Sequence, residues 1–252
     1  MTVQTAEVDA TELMIVLAAV IAGSTIKAVT GMGLPVIAIP VAALFVSLED
    51  AVVVIAFPNL LANATLAVRE RGHWKETRDL PTLLVAGVIG AALGTILFVS
   101  APEKPLMAAL ILAIVFYVVT FLAHPDLRTT PERSRRLAPP VGAVGGVFQG
   151  AIGISGPIVG PWIHSYRLER GAHVLSVTTL FFASGLAQFT ILVAHGDLSG
   201  RVTATLLACI PVLAAIPLGS RMRHHISGRS FDLAIIGILS ISAVLLSIRT
   251  IF

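Results

Sequence analysis

Charge is what this chain of 252 residues has least of: Asp, Glu, Lys and Arg make up 12% of it, about half of what a soluble globular domain carries. A water-soluble enzyme built on one packed core is thereby excluded, and so is a disordered chain. There is one cysteine, Cys209, so an internal disulfide and a cysteine-based zinc site are both ruled out. No HExxH, GxSxG or GxxxxGK[ST] pattern occurs, and Gly31-x-Gly33 lacks the third glycine and the preceding strand of a dinucleotide fingerprint. Nothing in the sequence calls for an enzyme, a cofactor or a bound metal. The net charge of +3 does not indicate nucleic acid, because nearly all of the 17 Lys and Arg sit in short loops between apolar runs. The first eleven residues carry acids but no Lys or Arg, which reads as a tail rather than a secretory signal.

What the chain does have is apolar length. Hydrophobic residues reach 56% and the mean hydropathy is +0.93. They come in runs of about 18 to 20 residues, each long enough as a helix to cross roughly 30 Å of hydrocarbon. The ten-residue alternation of a membrane barrel is missing. Apolar segments fall at 12–47, 50–68, 80–100, 105–123, 139–164, 173–194, 202–220 and 231–248. The expected fold is an all-α polytopic membrane protein with a tail at 1–11, one repeat at 12–123, a cytoplasmic linker at 124–138 and a second repeat at 139–252.

The repeat follows from sliding one half onto the other. At an offset of 122, Lys27, Gly31, Gly33 and Pro35 fall on Gln149, Gly153, Ser155 and Pro157. Segment 12–47 as one straight helix would extend roughly 54 Å, far beyond a bilayer core, so it must break. Thr30-Gly31-Met32-Gly33-Leu34-Pro35 supplies the break, since glycine frees the backbone while Pro35 removes a donor and disfavours helix at Leu34. Gly153-Ile154-Ser155-Gly156-Pro157 is its counterpart.

Whether each opening unit crosses or turns back is decided by charge. If both turn back, thirteen Lys and Arg share one side, against Lys104, Arg201 and Arg249 on the other. That is a positive-inside pattern. It gives two inverted-topology repeats, each opening with a glycine-broken hairpin followed by three spans, with both termini periplasmic. In such folds a substrate site lies near the midplane, where broken helix ends face the ligand.

Lys27 is the most informative residue, a charge one turn before the first break. It either binds an anion, snorkels to an interface or props the broken backbone. Gln149 holds the equivalent place in the second half, so a shared site would contain one positive charge. Thr30, Ser155 and the backbone at Gly31, Gly33, Gly153 and Gly156 would add donors, unless the glycines merely allow close helix packing. Asn59 and Asn63 share a helix face, with Gln188 and Ser184 on the corresponding helix; they line the site or glue helices together. Thr178 and Thr179 are expected to bond back to their own helix. Six of the seven histidines border loops, and His164 follows the second break. All fourteen acids lie in tails, loops or span ends, which disfavours a carboxylate proton relay and a cation carrier.

With GMGLP and GISGP each opening a half, and with Gly72-His73-Trp74 and Gly196-Asp197-Leu198 after the next span, the chain resembles the TauE/SafE family of sulfite and organosulfonate exporters from about Leu13 to Ile248. The resemblance implies a bacterial inner-membrane permease that moves sulfite, sulfoacetate or a related sulfonate outward by alternating access. It also implies that the family's glycine-rich break carries over to Gly31, Gly33, Gly153 and Gly156. Leu34 and Pro35 stand where the family pattern has further glycines, so the resemblance does not select the anion. Its expected partners are a small anionic substrate and the lipid bilayer, with no nucleic acid. Transport of another small anion, or a non-transporting membrane subunit, are the other readings. Oligomeric state stays open.

Overall fold

The computed structural model describes residues 10–30, 33–123, 128–222 and 229–251. The chain is helical, with no strand among these residues: α1 (Ala10–Thr30), α2 (Leu34–Ala42), α3 (Leu48–Arg69), α4 (Leu80–Ser100), α5 (Glu103–Ala123), α6 (Pro131–Ile152), α7 (Gly156–His164), α8 (Arg170–His195), α9 (Val202–Met222) and α10 (Arg229–Ile251). A 3-10 segment, Arg71–Glu76, lies between α3 and α4. Among the described residues, five helices are long and apolar enough to cross a membrane, and α9 and α10 contain shorter apolar stretches. Large apolar side chains such as Val85, Leu93, Leu112 and Leu122 point outward. Lipid is the solvent that suits such a surface. This is a membrane protein.

Helix boundaries follow local chemistry. Ser47 caps α3 by accepting from the Asp50 amide at 3.0 Å, with Glu49 and Asp50 in the first turn. Thr130 accepts from the Arg133 amide at 3.4 Å, and Pro131 and Glu132 open α6. Hence α6 starts eight residues before the apolar run at 139, and residues 131–138, read from sequence as linker, are helical. At the second break Gly153 adopts φ 73 and returns its amide to the Gln149 carbonyl, a left-handed stop that favours glycine. At the first, Gly33 has φ 124.

Both short helices fold back along the helix before them. A Cβ on Gly23 would lie 3.3 Å from that of Ala38, so α2 runs antiparallel to α1; Gly145 meets Val159 in the same way, so α7 runs back along α6. α2 is buried along nearly its whole length. The link from α2 to α3 is held at one end of the bundle: Leu48 N–H donates to Glu103 Oε1 (2.9 Å), Arg201 pairs with Asp50 (2.6 Å) and Glu49 (3.0 Å), and Arg249 donates to the Ala43 and Val46 carbonyls. The end of α7 is held at the other: Thr129 N–H donates to the Ser165 carbonyl (3.1 Å), and Ser134 donates to Asp79 (2.6 Å).

The closest seam joins α4 to α6. A Cβ on Gly90, Gly94, Gly146 or Gly150 would collide with a backbone carbonyl of the facing helix, and one on Gly142 would lie 2.9 Å from the Leu83 carbonyl oxygen. Small residues let two helices pack backbone to backbone. Elsewhere α1 packs on α9, α4 on α8, α3 on both α8 and α9, and α5 on α10.

Candidate functional site

The two breaks meet inside the bundle. A Cβ on Gly153 would stand 2.6 Å from Ile39 Cδ1, and one on Gly156 would stand 2.7 Å from Val36 Cγ2. Each glycine therefore lets the second break lie directly on α2. Neither Gly33 nor Ser155, the residues preceding α2 and α7, caps its helix with a side chain.

On the side of the first break, Lys27 is 1% exposed. Its ammonium donates to Asn63 Oδ1 at 2.6 Å and Asn59 Oδ1 at 3.4 Å, and Asn63 Nδ2 donates to Asn59 Oδ1 at 3.2 Å. The Phe181 ring, centred 5.9 Å away, presents its face to the same ammonium. Among the described residues no carboxylate pairs with Lys27; the acid–base pairs involve Arg69, His73, His195 and Arg201 instead. Among the described residues, its positive charge is met by amide dipoles and a π face.

On the other side is a second polar cluster, neutral throughout. Gln149 Nε2 donates to Gln188 Oε1 (3.0 Å) and to the Gly153 carbonyl (3.3 Å), Ser155 Oγ donates to Gln149 Oε1 (2.9 Å), and Gln188 Nε2 donates to the Gly150 carbonyl (3.4 Å). Ser155 thus fastens the break to the helix it interrupts. Between the clusters lies a void too narrow to hold a ligand as it stands. Its lining is polar at Asn59, Gln149, Gln188 and Gly153 and apolar at Pro35, Ile39, Val52, Ile55 and Ala56, and Lys27 reaches it through its bond to Asn59.

The structure therefore brings together Lys27, Asn59, Asn63, Gln149, Gly153, Ser155, Gly156 and Gln188. Gly33 packs against Ile26 and Lys27. Gly31 and the Thr30 side chain lie outside the described residues. Lys27 and Gln149 do not touch; Asn59, which contacts Lys27 and lines the void with Gln149, stands between them. Thr178 bonds back to the Val174 carbonyl at 2.7 Å, as its position suggests. Ser184 faces Gly87 on α4 rather than the void. Sequence reasoning passed over Phe181 as a neighbour of Lys27, although the offset of 122 that pairs Lys27 with Gln149 also pairs Asn59 with Phe181. The apolar wall left no signal, being indistinguishable in sequence from core.

Polar groups gathered between two broken helices of a helical membrane protein are an arrangement found in secondary transporters. The profile of the family described as Sulfite exporter TauE/SafE matches residues 15–246, and the chain belongs to that family of membrane transporters. No curated protein and no solved structure matches it.

Proposed function

We propose that this protein exports a small sulfur-containing oxyanion, sulfite or a short sulfonate such as sulfoacetate, across the bacterial inner membrane by alternating access, with the anion held between the two breaks. Lys27 supplies the charge. Gln149, Ser155 and the break amides supply hydrogen bonds, and Asn59, Asn63 and Gln188 the wall. The observation that carries the reading is Lys27 itself, buried one turn before the first break in a TauE/SafE chain, with neutral partners among the described residues. A buried cation without a counter-ion is costly, and an entering anion relieves that cost. The apolar wall of Pro35, Ile39 and Val52 offers a place for the carbon part of a sulfonate.

We further propose that 12–123 and 139–252 are inverted repeats, with both termini periplasmic. The helix pairings support this, because exchanging the halves converts one set into the other: α4 on α6 becomes α9 on α1, α4 on α8 becomes α9 on α3, and α3 on α8 and α5 on α10 map onto themselves. The thirteen cytoplasmic Lys and Arg of the hairpin topology point the same way.

The test is flux of labelled sulfite from liposomes containing the purified protein, with unlabelled sulfonates as competitors. Saturable flux that is lost in Lys27→Ala supports the reading. Absence of sulfite flux and of sulfonate competition in folded protein refutes it, and unchanged flux in Lys27→Ala removes Lys27 from the site.

A further inference from the structure

Charge bookkeeping at the site reaches further than the identity of the anion. Among the described residues bonded into the two clusters, Lys27, which reaches the void through Asn59, is the ionisable side chain, since Asn59, Asn63, Gln149, Gln188 and Ser155 are neutral at every physiological pH. With Lys27 protonated, the empty site carries one positive charge, and the site holding a monovalent anion carries none. Reorienting the empty site moves a bare charge through the low-dielectric part of the bundle, whereas reorienting the loaded site moves a neutral pair.

Resting on the transport reading above, we infer that this carrier is an anion exchanger: Lys27 makes the return of the empty site its slow step, and an anion bound on the far side removes that step. Membrane potential then acts on the two modes differently. Net efflux requires the empty, positively charged site to swing from outside to inside, a movement that an inside-negative potential drives. One-for-one exchange of a monovalent anion moves no net charge and is indifferent to potential. The structure holds the site in the state where this matters, with the ammonium drawn onto Asn63 and Asn59 and the void too narrow for a ligand.

The experiment compares efflux of labelled sulfite from liposomes into buffer with and without unlabelled sulfite, at mildly acidic pH where the monovalent hydrogensulfite ion dominates. Exchange is expected to exceed net efflux at least about tenfold, the size expected when a buried charge must cross alone. An inside-negative potential should speed net efflux, by up to about fiftyfold per 100 mV if the charge crosses the whole field, and leave exchange unchanged. In Lys27→Gln any remaining flux should show an exchange-to-net ratio near one, while Lys27→Arg should keep the wild-type ratio. Net efflux as fast as exchange, or exchange that follows the potential, overturns the inference while leaving the exporter reading intact. No flux in either mode overturns both. The wild-type comparison decides the matter even if Lys27→Gln fails to fold.

Discussion

Lys27 and Asn63, thirty-six residues apart, are joined by a 2.6 Å hydrogen bond in which the carboxamide oxygen accepts from the buried ammonium. Replacing that amide by its acid changes little in shape and everything in charge. Asn63→Asp should give a folded protein, because the new carboxylate pairs with Lys27 where it stands. Sulfite affinity should fall at least about tenfold once the site's charge is already neutralised. Sulfite-dependent thermal stabilisation of the purified variant measures this; undiminished stabilisation would mean that Lys27 does not meet the substrate.

On the seam between α4 and α6, a single added methyl has nowhere to go. Gly146→Ala would drive its Cβ into the Gly87 carbonyl, and both helix backbones would have to part. A loss of about 1–3 kcal/mol or more is expected, the ordinary cost of overpacking. Gly237→Ala on α10, where a Cβ meets nothing within 4 Å, is the matched control and should be neutral. Unfolding in detergent compares the two.

His73 lies in the 3-10 segment outside the spanning helices. Its imidazole is held above the ordinary value of 6.5, first by the hydrogen bond from Nδ1 to Glu76 Oε2 at 3.0 Å, which desolvation opposes as the next largest effect, and then by the negative charges of Glu76, Glu70 and Glu169. A histidine that binds its proton more tightly when folded adds stability below about 6.5, and that contribution fades as pH rises through the folded value. An NMR titration should place His73 above 6.5, and Glu76→Gln should lower it. A midpoint unmoved by Glu76→Gln would refute the assignment.

Cys209 is the one cysteine and is buried, so single added cysteines can report sidedness. A cysteine at Arg133 should react with an impermeant reagent from the cytoplasm, and one at Lys104 from the periplasm. Reaction of position 133 from the periplasm alone would reverse the topology.

Much of the fold was legible because its strongest constraints are one-dimensional. The length of segment 12–47 demanded a break, and Gly33 and Gly153, the two glycines with positive φ at the breaks, stand where the sequence put them. The polar site was legible for a related reason: in a chain with so few buried polar residues, Lys27, Asn59, Asn63, Gln149 and Gln188 stood out against the apolar background. What escaped was of the opposite kind. Phe181 and Ile39 are apolar residues among many, and only the packing of α8 and α2 says that one faces an ammonium and the other a glycine. The start of α6 escaped because Thr130 and Pro131 mark a helix by its cap, whereas the apolar run begins only at 139.

The glycine seam has a mechanical consequence. With Gly90 and Gly94 of α4 nested against α6 backbone, and Gly146 and Gly150 of α6 against α4 backbone, a change of register would turn a residue with a Cβ, such as Ala91 or Val147, towards a position that tolerates no side chain. The seam can tilt as a body but cannot shear. Any rearrangement of the helices therefore leaves α4 and α6 in register. They serve as the keel of the molecule, and the break carried by α6 travels with them.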